Sequence, residues 1–474
     1  MKAVRATLIT LAMLAGVWTL LGLIAVIAGV LPDLPDVDPD VEPETVADAG
    51  PTPDAMAPVD AGIDAPDPEA DANVPEPVLV PSAHPALRFR VCDYPTSIAH
   101  SLDWSFVTGE LLASGPPEIV VGCADRYVVI GIASGPTGMM GMRLAELTLE
   151  STREVEKHTA RAAIADITGD GKEDLLLPFF FESDGGGSRG GRLVLWPRAE
   201  SGFGRLRTIG QHTFQNATPV DLDGRGGVDF VVVDRGRPWA SEMGAIRFYQ
   251  GGPQPRQRAQ SETGISPRNA VVVDIDQDGE KDVITSSSGF SNANTRHTAA
   301  IHVLRRTGSF QFDHTEVAAD GHWGLIAGDL DDDGNQDVVI GGSNGLAALY
   351  ARSRADLEGL ALETLAAGQG APVPMAVADV DGDGLNDLIV EDQGGLSWLA
   401  RTTTGYRGAR SYDANDVAGA ALIQVDGVPV LVWAILEAGR LDLIVVQRPT
   451  FTEPVPRDAV ELHDAPFLAR ESIR

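Results

Sequence analysis

The sequence has little basic charge, few cysteines and few aromatic residues. Its 474 residues include 36 Lys+Arg, of which four are lysines, against 68 Asp+Glu, for a net charge of -32. Phosphate contacts need a basic face, so this balance argues against nucleic acid as a partner. It argues equally against binding to an anionic membrane surface. The two cysteines are too few for a disulfide scaffold or a four-cysteine zinc site.

Residues 1–31 contain a long segment without charge. Lys2 and Arg5 precede an uncharged run from Ala6 to Leu31. A helix needs about 20 residues to cross a bilayer, whereas the core of a cleavable signal peptide has about 7–15. The run therefore predicts a transmembrane signal-anchor, with a cleaved signal peptide as the alternative. In either case we expect the rest of the chain to be exported, to the periplasm or the cell surface, because the basic flank stays inside.

Residues 32–82 carry much of the acid. They contain 14 Asp+Glu and 12 prolines and no Lys or Arg. Such a segment cannot bury apolar surface and repels itself, so it is interpreted as a disordered linker rather than a folded unit. The remaining residues, 83–474, still have a net charge of -20, which the linker does not explain.

A repeated acidic loop accounts for this remaining charge. Five segments share the pattern of an apolar strand, D-x-D-x-D-G-x-x-D and a second apolar strand, with allowance for single departures. The ninth loop position falls at Asp174, Asp229, Asp282, Asp337 and Asp387, about 50 residues apart. In the unit before these five, Glu118 occupies the position equivalent to the ninth loop residue, and in the unit after them Val430 does. The period therefore predicts seven units between residues 83 and 474.

Each unit also reads as four short strands with turns between them. A glycine, a short apolar stretch, a G-x-aromatic turn and another stretch recur, as in GRLVLWPRAESGFGRLRTI at 191–209. Four strands per unit at this period are typical of propeller blades. We therefore predict an all-β fold, a seven-bladed β-propeller with four-stranded blades, in which the strand that closes the ring is left open.

The five loops and their spacing resemble the FG-GAP/VCBS repeat family, the calcium-binding propeller repeats of integrin alpha-chain heads. The resemblance covers about residues 96–447. It implies that the aspartate loops lie on one face of the ring. It also implies that the connections between second and third strands lie on the other face.

The loops have the ligand chemistry that Ca²⁺ prefers. A hard cation takes six to eight oxygens from carboxylates, carbonyls and water, and alternate aspartates in a tight loop supply them. An acidic turn without metal is the alternative, but it leaves like charges crowded together. About four calcium sites are predicted, including a backbone carbonyl at the seventh loop position. The ligands in three complete loops are Asp274, Asp276, Asp278, Glu280 (carbonyl) and Asp282; Asp329, Asp331, Asp333, Asn335 (carbonyl) and Asp337; and Asp379, Asp381, Asp383, Leu385 (carbonyl) and Asp387.

Two loops depart from the pattern. The first has Thr168 at its third position and is predicted to bind calcium through the set Asp166, Thr168, Asp170, Lys172 (carbonyl) and Asp174. The second has Arg225 where the third carboxylate belongs, beside Asp221, Asp223 and Asp229. Its guanidinium is expected to pair with these aspartates, which makes this site weak or lost.

Long connections after the second strand predict a partner-binding face in the second, third and fourth units. Loops on a rigid scaffold commonly carry binding residues, although solvated loops without a partner are the alternative. The candidate contacts are Arg189, Arg235, Trp239, Phe290, Asn292 and Arg296.

Three histidines precede aspartate loops, namely His158, His212 and His322. They are interpreted as locally packed residues rather than a metal cluster, because no ligand spacing links them. Cys92 and Cys123 are expected to form a disulfide in an exported domain, with free thiols as the alternative.

Two classes of function remain open. The first is a non-enzymatic recognition or adhesion module that is tethered to a membrane and binds a protein or glycan. The second is an enzyme of the polysaccharide-lyase type acting on an acidic glycan. The sequence contains no H-E-x-x-H motif and no G-x-x-x-x-G-K-[ST] phosphate loop, which favours the module.

Overall fold

The computed structural model describes residues 86–473 apart from short segments, the longest of which are 95–105, 354–361 and 450–458. The predicted N-terminal helix (1–31) and linker (32–82) lie outside the described residues. All regular structure in the described part of the chain is β-strand. Among these residues no helix is long and apolar enough to cross a membrane.

Seven antiparallel sheets form the blades, numbered here along the chain. The strands of each blade are given from the inner to the outer one, and blade 1 has Phe106–Gly109, Glu118–Cys123, Arg126–Gly135 and Gly138–Leu149. Blade 2 has an inner strand divided into Glu156–Thr159 and Ala163–Ala165, followed by Asp174–Ser183, Gly187–Trp196 and Arg207–Gly210. Blade 3 has Phe214–Val220, Asp229–Asp234, Ala245–Gln250 and Arg256–Glu262. Blade 4 has Pro267–Val273, Asp282–Ser287, Ala300–Gly308 and Gln311–Ala318. Blade 5 has His322–Gly328, Asp337–Gly342, Gly345–Leu349 and Glu363–Ala366. Blade 6 has Val373–Ala378, Asp387–Asp392, Gly395–Thr402 and Gly405–Asp413. The predicted seven-bladed propeller is confirmed.

The two ends of the described chain close the ring at one seam. Blade 7 has Val417–Val425, Val428–Glu437 and Arg440–Gln447 from the C-terminal side and takes its outer strand, Leu87–Asp93, from the N-terminal side. A short strand, Val460–Glu461, pairs parallel with that outer strand. The last strand, His463–Ile473, then pairs parallel with the outer strand of blade 1. Segments from both ends of the described chain therefore close the ring, a point on which the sequence made no prediction.

A disulfide joins these two blades. Cys92 in the outer strand of blade 7 is bonded to Cys123 at the end of the second strand of blade 1. On the blade 7 side, Arg88 donates to Asp442 at 2.7 Å and pairs with Glu437 at 2.7 Å. The N-terminal strand is thus held by its backbone ladder, an ion-pair cluster and one covalent bond.

The apolar core is divided among the interfaces between blades. Each of the seven buried clusters in the described residues combines side chains from two neighbouring blades. Second and third strands are buried on both faces, as in Asp337–Gly342, because they are covered by the adjacent blade on either side. Such strands read as continuous apolar runs, which explains the VVIGG and LIVED segments of the repeats. Stability therefore depends on contacts between neighbouring blades.

Candidate metal centres

The five aspartate loops lie on one face of the ring. Each joins the end of an inner strand to the start of a second strand, in blades 2 to 6. Blade 1 has Glu118 at the equivalent strand start, where its carboxylate accepts a hydrogen bond from Leu111 N at 2.7 Å. Blade 7 has only a two-residue turn, Asp426–Gly427, so it has no such loop.

The aspartate at the ninth position is buried and binds backbone on both sides. In blade 5, Asp337 Oδ2 accepts from Leu330 N in the loop at 2.9 Å, and Asp337 Oδ1 accepts from Ala351 N at the end of the third strand at 2.8 Å. The same pair of bonds recurs at Asp174, Asp229, Asp282 and Asp387. This aspartate therefore fixes the loop to the third strand as well as contributing charge.

Burial raises the pKa of these ninth-position carboxyl groups. The pKa of Asp282 is raised to about 7, chiefly by burial and also by Asp276 and Asp278. Burial also raises the pKa of Asp337 and of Asp387 to about 6, with further contributions from the aspartates of their own loops. Burial and repulsion from neighbouring carboxylates both disfavour the charged form of these groups.

The first aspartate of each loop organises the turn. Asp329 Oδ2 accepts from Gly334 N at 2.9 Å, across the loop. Gly334, at the sixth position, has φ of 88°, a left-handed conformation that glycine adopts without strain. The conformation gives the physical reason for the glycine in the repeated pattern.

Carboxylate oxygens converge in four of the five loops. One oxygen from each of three residues lies within 4.8 Å of the others in blades 3, 4, 5 and 6. The sets are Asp221, Asp223 and Asp229; Asp274, Asp276 and Asp282; Asp329, Asp331 and Asp333; and Asp379, Asp381 and Asp387. Asp278, Asp337 and Asp383 are outside these triads although they belong to the same loops, and the predicted carbonyl ligands at the seventh position stay a prediction.

Blade 5 passes a direct test of fit for a cation. Asp329 Oδ1 and Asp331 Oδ1 are buried and accept no hydrogen bond. The other oxygen of Asp331 pairs with Arg352 Nη1 at 3.2 Å. Buried carboxylate oxygens without a donor are costly, and a cation between them would remove that cost. These aspartate clusters can hold metal ions.

The predicted pairing of the Arg225 guanidinium with the aspartates of its loop is not observed, and the weak or lost metal site stays a prediction. The Arg225 side chain is exposed and makes no ion pair with Asp221, Asp223 or Asp229, whose carboxylates converge as in the complete loops. Instead, the backbone N–H of Arg225 donates to Asp223 Oδ1 at 2.9 Å. A long side chain at a loop tip is better solvated when it points outward, so the basic residue leaves the cluster intact.

The loop of blade 2 differs from the other four because its carboxylates do not converge. Asp166, Asp170 and Asp174 do not form a convergent triad among the described residues. Lys172 Nζ lies 3.6 Å from Asp170 Oδ2 and supplies positive charge inside the loop. With Thr168 in place of the third-position carboxylate, this loop has fewer negative charges and a basic neighbour.

The aspartate loops of blades 2, 3, 4 and 5 are each bonded to the next blade. Ile167 O in the blade 2 loop accepts from Gly252 N of blade 3 at 2.7 Å. Leu222 O in the blade 3 loop accepts from Arg306 Nη2 of blade 4 at 2.6 Å. Ile275 O in the blade 4 loop accepts from Arg352 N at 3.0 Å, and Asp329 O in the blade 5 loop accepts from Asn386 Nδ2 at 2.9 Å. The loops therefore sit at the seams between blades.

Sequence reasoning missed a set of arginines near the ends of third strands, of which Arg306 and Arg352 bond to the loop of the preceding blade. Arg198, Arg306, Arg352 and Arg401 end or follow the third strands of blades 2, 4, 5 and 6. A repeated signal was present, since the segments LWPR, VLRR, LYAR and WLAR all place arginine at this point. Arg306 also pairs with Glu280 of the blade 4 loop, which makes it a contact between two neighbouring loops.

Four predicted partner residues, Arg189, Arg235, Phe290 and Arg296, follow the ends of second strands, on the face opposite the aspartate loops. Arg189 occupies a bulge in the third strand of blade 2, where the predicted loop is largely a β-hairpin. Arg235 directly follows the second strand of blade 3, and its N–H donates to Thr213 O at 2.8 Å. Phe290 and Arg296 lie in the two paired segments Phe290–Ser291 and Arg296–His297 of blade 4. Trp239 and Asn292 lie outside the described residues.

Among the three histidines singled out by the sequence, side-chain contacts are described for His212. The ring of His212 lies 3.5 Å from Asp234 Oδ2 and 3.2 Å from Arg247 Nη2, at the top of blade 3. His158 and His322 belong to the inner strands of blades 2 and 5. The contacts of His212 favour a local structural role.

Comparison with known proteins identifies the repeat. Residues 329–390 match the model of the FG-GAP-like repeat. This segment runs from the aspartate loop of blade 5 to the second strand of blade 6. No curated protein matches the chain.

Solved structures resemble the fold only distantly. The chain is similar to BBS1N, solved in complex with ARL6DN, with 13% identity, a TM-score of 0.46, and coverage of 80% of this chain and 99% of that one. It is similar to an Agrocybe aegerita lectin that recognises non-reducing terminal N-acetylglucosamine, with 12% identity, a TM-score of 0.39, and coverage of 74% and 88%. The Dos1 propeller gives 8% identity, a TM-score of 0.41, and coverage of 80% and 100%. At these scores the likenesses carry no functional argument. The chain is a seven-bladed β-propeller in which residues 329–390 match an FG-GAP-like repeat.

Proposed function

We propose that this chain is a calcium-stabilised recognition module that binds a protein or glycan outside the cytoplasm. The observation that carries the proposal is the convergence of three carboxylates in each of four equivalent loops. A cation in these loops would stabilise the blades and leave the opposite face free for a partner. The uncharged run at Ala6–Leu31 supports export and membrane tethering.

The donor set favours calcium over transition metals. All twelve side chains in the four triads are aspartates, whose hard oxygens suit Ca²⁺ or Mg²⁺ rather than zinc or copper. Magnesium demands a stricter octahedral arrangement, whereas calcium tolerates varied ligand sets. The triads do vary, since blade 5 uses its fifth-position aspartate and the others use the ninth. A bound Ca²⁺ would supply two positive charges to each loop.

Calcium removal tests the first part of the proposal. We expect the melting temperature of the full chain to fall in EDTA and to recover when excess calcium is added, because a ligand bound only by the folded state stabilises it. Asp331→Asn should reduce the recovery, whereas Asp313→Asn, in the outer strand of blade 4, should not. Identical melting curves in EDTA and in calcium would contradict the proposal.

The recognition face is proposed from the unequal connections between second and third strands. In blades 5 and 6 these connections are two-residue gaps, between Gly342 and Gly345 and between Asp392 and Gly395. In blade 3 the connection spans residues 235–244, and in blade 4 it spans 288–299 and includes a short two-stranded ribbon. Long connections on one side of a rigid ring supply the variable surface that binding sites commonly use.

A binding screen tests the second part. The full chain in calcium is applied to a glycan array and to extracytoplasmic proteins, and the hits are repeated with an Arg189→Ala, Arg235→Ala and Arg296→Ala variant. Arg407→Ala, at the start of an outer strand and exposed, serves as the control. We expect the triple variant to lose binding and the control to keep it. Unsaturated products from uronic polysaccharides would instead identify a polysaccharide lyase.

A further inference from the structure

A cavity runs along the axis of the ring between the inner strands. Its volume is about 510 Å³, and residues from all seven blades line it. Small or apolar side chains dominate the wall, as in Ala162, Ala217, Ala270 and Ala420. Cavities that bind small molecules commonly have about 300–1,000 Å³ and mostly apolar walls with a few polar groups.

Arg161 is the single charged residue among the described residues that line this cavity. It lies between the two halves of the inner strand of blade 2. Its N–H donates to Gln215 O at 3.1 Å, and its carbonyl accepts from Ala217 N at 3.1 Å. The backbone of Arg161 is therefore anchored to blade 3, which fixes where its side chain starts.

The guanidinium of Arg161 has no acceptor in the described part of the chain. Other partly buried arginines are paired, as Arg247 is with Asp234 at 2.7 Å and Arg126 with Glu146 at 2.9 Å. Burial lowers the pKa of Arg161, and no neighbouring acid opposes this change. Arg161 is half-buried, and a cation partly removed from water without a counter-charge favours an anion.

We propose that the axial cavity binds a small monocarboxylate with an apolar body, held by Arg161. The planar fork of a guanidinium matches a carboxylate and binds it through two parallel hydrogen bonds. One positive charge in the wall calls for one negative charge on the ligand. The alanine-rich wall gives the rest of the ligand an apolar surface to contact. This site contains none of the carboxylate triads, although Gln336 of the blade 5 loop is among its lining residues.

Benzoate is the probe, and benzyl alcohol is its neutral control. Calorimetric titration of the full chain in calcium should show binding of benzoate that is at least about tenfold tighter than that of benzyl alcohol, since a charge-assisted bond is lost. Arg161→Met should weaken benzoate binding about tenfold or more, and Arg161→Lys should keep part of it. Arg407→Met, an exposed arginine outside the cavity, should bind benzoate as the unchanged protein does.

Three results would overturn the proposal. Equal affinity for benzoate and benzyl alcohol would mean that charge has no role, and this comparison requires no variant. Unchanged benzoate affinity in Arg161→Met would place the ligand elsewhere. Binding of chloride or acetate as tight as that of benzoate would show that the apolar wall does not contribute.

Discussion

The aspartate at the ninth loop position is a structural residue even before any ion is considered. In blade 4, Asp282 accepts from Ile275 N at 3.1 Å and from Arg306 N at 2.8 Å, and it is almost completely buried. Removing a buried acceptor leaves its donors unsatisfied, at about 1–3 kcal/mol each. The same side chain thus contributes to folding and to the metal triad of its loop.

Asp282→Ala should lower the free energy of unfolding by about 2–4 kcal/mol in the absence of divalent ions, because two backbone N–H groups lose their acceptor. Urea denaturation in EDTA measures this loss. Lys281→Ala, the adjacent exposed residue, should change the value little. A loss that appears only in calcium would mean that Asp282 acts as an ion ligand and not as a hydrogen-bond acceptor.

A buried histidine in blade 4, His302, should give stability a pH dependence. His302 Nε2 lies 3.1 Å from Ser287 Oγ, and His302 Nδ1 lies 2.9 Å from His314 Nε2. Burial is the main cause that lowers the pKa of His302 to about 4. His314 contributes to this lowering, and Glu316 opposes it. The fold therefore prefers the neutral ring. Its contribution is complete above the unfolded pKa of about 6.5 and is lost as the pH falls towards 4.

His302→Gln should flatten this part of the pH profile. Between pH 7 and pH 5 the unchanged protein should lose more free energy of unfolding than the variant, by about 1–2 kcal/mol, because protonation of His302 disfavours the folded state. His463→Gln is the control, since His463 is exposed. Parallel profiles for the two variants would show that His302 is not the group responsible.

At the scale of the element, the aspartate loop belongs to a seam and not to one blade. Arg306, from the third strand of blade 4, reaches Leu222 O in the loop of blade 3 and pairs with Glu280 in its own loop. An ion in one loop would therefore stiffen the contact with the next blade. Because repeat proteins gain stability from neighbour interfaces, such a contact acts beyond its own blade.

Arg306→Met should reduce the free energy of unfolding by about 1–3 kcal/mol, because the carbonyls of the blade 3 loop lose a charged donor. Urea denaturation measures this effect. Arg305→Met, one residue earlier and bonded to Thr315 Oγ1 at 3.5 Å, is the matched control. Equal effects of the two variants would argue against the seam contact.

At the scale of the whole molecule, the ring is closed by segments from both ends of the described chain. Leu87–Asp93 completes blade 7, and His463–Ile473 extends blade 1. The disulfide Cys92–Cys123 joins the same two blades, across a sequence separation of 31 residues. Closure thus combines strand pairing with one covalent bond.

A Cys92→Ser and Cys123→Ser double variant should be less stable by about 3–4 kcal/mol, because the open chain gains conformational entropy when it unfolds. Thermal unfolding of the unchanged protein under reducing conditions should give a similar loss. The calcium-dependent rise in melting temperature should persist in the variant, since the disulfide lies far along the ring from blades 4 and 5. Unchanged stability would show that the strands alone hold the seam.

The sequence predicts the blades and the loops well because both depend on local patterns. Apolar runs bounded by aspartate and glycine set the second strands, as at Asp337 and Asp387. The closure was not predictable, because the parallel pairing of His463–Ile473 has no local signal. The direction of the Arg225 side chain and the pairing of Lys172 with Asp170 also depend on three-dimensional surroundings. The sequence therefore predicts where the acidic loops lie, whereas the structure is needed to see in which loops the carboxylates converge.

The closing disulfide also sets how the propeller would respond to mechanical load. Tension applied from the chain before Leu87 would act first on the strand Leu87–Asp93, which could peel only as far as Cys92. Beyond that point the load passes through the bond to Cys123 and bypasses residues 93–122. The force then enters the second strand of blade 1, which is buried along its whole length. The propeller is built so that pulling on its N-terminal side meets the interior of the ring rather than an edge strand.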